Sequence, residues 1–99
     1  MTNREVTVSK SSKGVTRVTP NMVTVKISKG DQVVWKCETG FEVDFGKRTP
    51  FKNNRSNFRG RGSVNSGPLG DHVEPHERYK YWVKMDGAKA NDPTVETDP

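Results

Sequence analysis

GDQVVWKCETGFEVDFGKRTPF, residues 30–51, is the stretch that decides the fold. Val33, Trp35 and Cys37 fall on one phase of a two-residue alternation, and Phe41, Val43 and Phe45 repeat it beyond Thr39-Gly40. The pattern predicts a β-hairpin that turns at Thr39-Gly40 and lays one face against a core. The other phase, with Gln32, Lys36, Glu42 and Asp44, is polar enough to meet water. Val34 on that phase predicts partial cover from a neighbouring segment.

Strand-like alternation recurs on both sides of this stretch. Upstream, residues 5–9 (EVTVS) put Val6 and Val8 inward, and 15–19 form a weaker strand closed by Pro20-Asn21. Pro donates no ladder hydrogen bond, so it marks a strand end or an edge. Val23, Val25 and Ile27 then alternate with Thr24, Lys26 and Ser28, and Lys29-Gly30-Asp31 turns the chain. Downstream, Tyr79, Tyr81, Val83 and Met85 share one phase opposite Lys80, Trp82 and Lys84, which predicts a strand with aromatics on both faces. Residues 94–97, around Val95, read as a last edge strand.

Between these lies 46–70, with five Gly and two Pro and almost no β-branched run. It predicts a long irregular loop holding at most one short strand. Loops beyond about 12–15 residues are uncommon in compact domains and are usually functional or disordered. Within it, Phe51 follows Pro50 and is placed to plug the end of the fold. No convincing helix, internal repeat or second domain is visible. About seven short strands with turn signals between them define an all-β sandwich. The domain is single, 1–99, with an ordered core over about 5–97.

Composition agrees with that architecture. A 99-residue chain buries roughly 60–65% of its unfolded surface in one core. Only 29% of its residues are hydrophobic, so the core is thin. A sandwich tolerates this because each strand contributes only its inward phase. No apolar run approaches the ~20 residues of a membrane-spanning helix, and residues 1–5 are too short and polar to begin a signal peptide. The expectation is a soluble cytoplasmic chain. The single Cys37 cannot form an internal disulfide, which agrees with a reducing compartment.

The net charge of +5 is unevenly spread. Between Asp44 and Asp71 there is no acid, while Lys47, Arg48, Lys52, Arg55, Arg59 and Arg61 supply six positive charges. From Asp71 onward seven acids face four bases. Such polarity steers an anionic partner or pairs one end of the fold with the other.

Three stretches together carry a family likeness: VTVKISKGDQVVWKC, then GFEVDF with TPF, then YKYWVKMDG followed by DPTV. In this order they resemble the cupredoxin-like family of the plastocyanin type, and in particular small bacterial members of unknown role. The resemblance covers about residues 15–95 and implies a Greek-key sandwich of two sheets. It implies no copper here. The family's first His position falls near Phe41, and the loop over 86–93 has neither Cys nor His. Met85, in phase with Tyr79, Tyr81 and Val83, reads as core, and Cys37 as a small buried hydrophobe. Without a His2Cys set, type 1 copper chemistry has no ligands.

Two other constellations bear on chemistry. DHVEPHE, 71–77, places His72 and His76 among Asp71, Glu74 and Glu77, a donor set that Zn(II) or Cu(II) accepts. Pro75 argues against a helix, so any such binding is weak and no metal or other cofactor is expected. FKNNRSNFRGRG, 51–62, combines phosphate-neutralising arginines, glycines and a stacking Phe, which suits single-stranded nucleic acid. A basic loop equally docks on an acidic protein face. Neither a nucleophile with a base nor a core-directed pair of carboxylates is legible, so no enzyme is expected. The sequence therefore predicts a non-catalytic binding module that offers a basic loop to an acidic partner, a protein before a nucleic acid. Lys52, Arg55, Arg59 and Arg61 supply the charge and Phe58 an apolar anchor.

Overall fold

One long strand, β4 (Gln32–Asp44), runs through the region read as a hairpin, and every other strand of its sheet is placed relative to it. The computed structural model describes residues 3–99. Besides β4 it contains β1 (Asn3–Lys10), β2 (Thr16–Thr19), β3 (Met22–Lys26), β5 (Asn57–Asn65), β6 (Arg78–Lys80), β7 (Trp82–Met85) and β8 (Thr94–Asp98). Among the described residues there is no α-helix; a 3-10 turn at Lys52–Asn54 is the one helical element. No helix among them is long and apolar enough to cross a membrane.

The strands form two mixed sheets. The first has the order β2-β1-β4-β5, with β7 also paired to β4; the second has the order β3-β8-β6. β1 runs parallel to β4 from Asn3↔Gln32 to Thr7↔Lys36, and β7 takes over antiparallel from Phe41↔Met85 to Asp44↔Trp82. Thr39-Gly40 is therefore no turn. It lies at a bulge, where the register against β5 shifts between Cys37 and Gly40. Gly40 meets the turn after β7: its carbonyl accepts from Asp86 N–H at 3.0 Å, and a Cβ there would require the Asp86 carboxylate to swing aside. The odd-numbered residues of β4 keep facing inward on both sides of the bulge.

Three further sequence expectations are corrected. The supposed irregular loop over 46–70 contains β5, nine residues antiparallel to β4. Its alternation is masked because glycines occupy positions 60 and 62, between Phe58 and Val64. The run from Tyr79 to Met85 is two strands: Tyr79 pairs with Val95 in the second sheet and Val83 with Val43 in the first. Tyr81 stands between them, so the chain crosses from one sheet to the other without changing its inward phase. Finally, β8 is no edge strand, since it lies between β3 and β6 and its Val95 is fully buried.

Residues of both sheets share one core, which makes the architecture a sandwich. Trp35 is its hub, with ring centroids of Phe58 at 5.2 Å, Tyr81 at 5.8 Å, and Phe45 and Phe51 both at 6.2 Å. Large rings let few apolar residues fill the space, each adding about 0.5–1.5 kcal/mol beyond its buried area through edge and stacked contacts. Phe51 is fully buried and packs edge-on against Trp35, Phe45 and Phe58. Thr49 holds it there, its hydroxyl donating to Arg55 C=O at 2.8 Å and accepting from Phe51 N–H at 3.3 Å. Val34 is buried on the outer phase of β4, Met85 and Cys37 on the inner, as their phases predict.

Candidate functional site

Buried Phe51 and the long β4 together hold out the basic segment. Phe51, Thr49 and Pro50 are buried, and Phe45 N–H donates to Ser56 C=O at 2.8 Å, which closes the 46–56 connection at its base. From that base Lys52 projects on the 3-10 turn, Arg55 just beyond it, and Arg59 and Arg61 on β5; all four are exposed. The Arg55 guanidinium lies 4.5 Å over the Phe58 ring. Phe58 itself is 1% exposed. It faces Trp35, so it is a core residue and not the solvent-facing anchor that the sequence predicts.

The charges near these arginines are only partly matched. Glu42, opposite Arg59 on β4, accepts from Asn57 Nδ2 at 3.0 Å and stands 3.7 Å from the Arg59 guanidinium. The Arg59 side chain remains 77% exposed, so this contact is a weak tether. No ion pair involves Lys52, Arg55 or Arg61 among the described residues. Arg48 is different: it pairs with Glu77, donates to Arg78 C=O at 2.6 Å and covers the Tyr79 ring at 4.3 Å. It belongs to the scaffold.

β5 is an edge strand, paired on one side only. The sense of that pairing follows from the Phe45-to-Ser56 bond, which makes 45/56 a hydrogen-bonded pair. In the register Asp44↔Asn57, Val43↔Phe58, Glu42↔Arg59, the bonded pairs then fall on Phe58 and Gly60. Asn57, Arg59 and Arg61 turn their main-chain N–H and C=O groups away from β4, to the open edge. Sequence reasoning missed this edge because it allowed at most one short strand in 46–70 and did not place it. The signal that would have found it is the strict placement of Arg59 and Arg61 between Phe58, Gly60 and Gly62.

One large apolar residue on the same sheet is exposed as well. Trp82 is 59% exposed, on the outer phase of β7 directly across from Asp44. Glu42 and Asp44 on β4 separate Trp82 and Lys84 from the β5 arginines.

The remaining candidates are not brought together. His72 Nε2 is 2.7 Å from Thr49 C=O, while His76 Nδ1 is 3.6 Å from Asp98, so the two imidazoles engage separate partners. Among the described residues no group of three or more His, Cys, Asp or Glu side chains converges as a metal would require. Cys37 is 4% exposed, 3.7 Å from Thr39 Oγ1, and sits beside Val8 and Met85 in a cleft of about 550 Å³. That cleft opens where β4 parts from β1 and has not yet met β7. Phe41 is buried in the core.

No protein-family model matches this chain, and no curated protein matches it.

Proposed function

We propose that the chain is a non-catalytic binding module of cupredoxin-like, Greek-key architecture, without a type 1 copper site, and that it presents the basic segment 52–61 to an acidic protein surface. The observation that carries this reading is the placement of Arg55, Arg59 and Arg61, exposed and largely unpaired, on and beside an open strand edge. Phe58 packs that edge strand onto the buried rings of Trp35, Phe45 and Phe51, so little ordering entropy opposes binding. Two sheets around one core support the sandwich part of the family resemblance.

Acidic protein is favoured over single-stranded nucleic acid for two reasons. Phe58 faces the core and cannot stack on a base. Trp82, which can, is separated from the arginines by Glu42 and Asp44, whose carboxylates repel phosphates on that path.

The test is fluorescence anisotropy with a labelled poly-Glu peptide, beside labelled single-stranded RNA and DNA, at low and moderate salt. The peptide is expected to bind, to release as salt rises, and to be lost in the triple variant R55A/R59A/R61A. No peptide binding at low salt overturns the reading. Oligonucleotide binding alone, lost in the same variant, replaces it with the nucleic-acid one.

A further inference from the structure

We infer that the partner binds by adding a strand to β5: an extended acidic segment pairs its main chain with Asn57, Arg59 and Arg61 while its carboxylates pair with the two arginines. The inference rests on the acidic-partner reading above and adds its geometry and its sequence rule.

The edge is built for main-chain pairing. The outward N–H and C=O groups of Asn57, Arg59 and Arg61 make no main-chain hydrogen bond among the described residues beyond the β4 ladder. Backbone groups of this kind form the template on which an extended chain adds a strand. The regular part of the edge runs over 57–61, roughly 17 Å at strand spacing. It ends at Gly62, whose φ of 84° interrupts the strand.

Charge then selects the occupant. Residues directly opposite in a strand pair lie on one face, about 4.5–5.5 Å apart. A docked strand therefore places side chains beside Arg59 and Arg61 on the outer face of the sheet, two positions apart. Acids at i and i+2 fit, with an apolar residue between them that falls on the inner phase near Phe58 and Gly60.

A second copy of this chain does not fit. Two β5 edges would set arginines against arginines, and the acidic strand β8 is held between β3 and β6. The same arginines that guard the edge against self-pairing thus become contacts for an acidic strand.

The probe is a fluorescein-labelled peptide alternating Glu and Val, about nine residues long, and its counterpart N-methylated on alternate amides. N-methylation removes donors along one edge and leaves charge and composition intact. The expected result is that the parent binds, that N-methylation weakens it about tenfold or more, and that Arg59 and Arg61 amides of the native protein gain hydrogen-exchange protection with it. The variant R59E/R61E should lose this peptide and take up one alternating Lys and Val. Equal binding of both Glu peptides, without amide protection, overturns strand addition and leaves the acidic-partner reading standing. Binding of neither overturns both. A folding failure of the charge-reversed variant leaves the exchange measurement on the native protein to decide.

Discussion

The indole N–H of Trp35 donates to the hydroxyl of Tyr81 at 3.3 Å inside the core, so the hub of the first sheet is tied to the residue at which the chain crosses between sheets. Both side chains are within 1% of complete burial. Neither polar atom has water to fall back on, and the pair fixes the orientation of Trp35 among four other rings.

Tyr81→Phe keeps the ring and removes the acceptor, leaving a buried N–H unsatisfied. The expected loss is about 1–3 kcal/mol, seen as a lower urea midpoint with an unchanged m-value. The wild-type pair also has a signature at high pH. Burial pushes the Tyr81 hydroxyl up to about 12, against a smaller opposing pull from its hydrogen bond to Trp35. A raised pKa means the folded state holds its proton longer than the unfolded one. This contribution is therefore complete below about pH 10 and lost as pH rises through about 12, a decline of roughly 3 kcal/mol that Tyr81→Phe should not show.

Phe58 and Trp82 are expected to behave in opposite ways. Phe58→Leu opens space beside Trp35 and should cost about 1–2 kcal/mol; it also removes the ring beneath the Arg55 guanidinium, so affinity for an acidic peptide should fall, by no more than a few-fold because the arginine charges stay in place. Trp82→Phe should alter stability by no more than about 0.5 kcal/mol. The same variant isolates Trp35, so acrylamide quenching of its fluorescence should drop several-fold.

The contrast between those residues shows what was legible in advance. Inward phases survive any rearrangement of strand partners, so Trp35, Tyr81, Val83 and Met85 are readable as core from periodicity alone. Which strands are neighbours is not local information. Thr39-Gly40 has turn composition, yet β5 pairs with β4 on both sides of it, with β1 before it and β7 after it, and the chain stays extended. Gly60 and Gly62 contribute no side chain to an apolar stripe, and β5 becomes a strand because β4 is there to pair with it. The basic residues of the candidate site were visible as charge; their arrangement along an open edge depended on a strand that periodicity did not place.

Val95 tests the corrected topology. As an edge residue its alteration would change self-association. As a buried residue of a central strand it should, when replaced by Ala, cost about 2–3 kcal/mol and leave the sedimentation coefficient of the native protein unchanged. A shift in oligomeric state with undiminished stability would return β8 to the edge.

Asp31 carries the remaining prediction. It has turn composition, between Gly30 and Gln32, and yet its side chain is fully buried. Its Oδ2 accepts from Arg4 Nε at 3.0 Å and from Lys26 N–H at 3.0 Å, so one carboxylate joins β1, β3 and the start of β4 across the two sheets. Burial alone would raise its pKa. The hydrogen bonds from Lys26 and Arg4, with the charges of Arg4 and Lys29, outweigh that and hold the carboxyl below its ordinary value. The folded state then releases the proton more readily than the unfolded one. Stability from this group is fully present above the unfolded value near pH 4 and is lost as pH falls through the lower folded value. Asp31→Ala leaves the Lys26 N–H without its acceptor and returns the partly exposed Arg4 guanidinium to water, at a cost of about 1–3 kcal/mol at neutral pH. Urea midpoints of the two proteins measured from pH 7 downward should therefore converge only below about pH 4. A gap that stays constant to pH 2 would mean that Asp31 acts through its shape and not its charge.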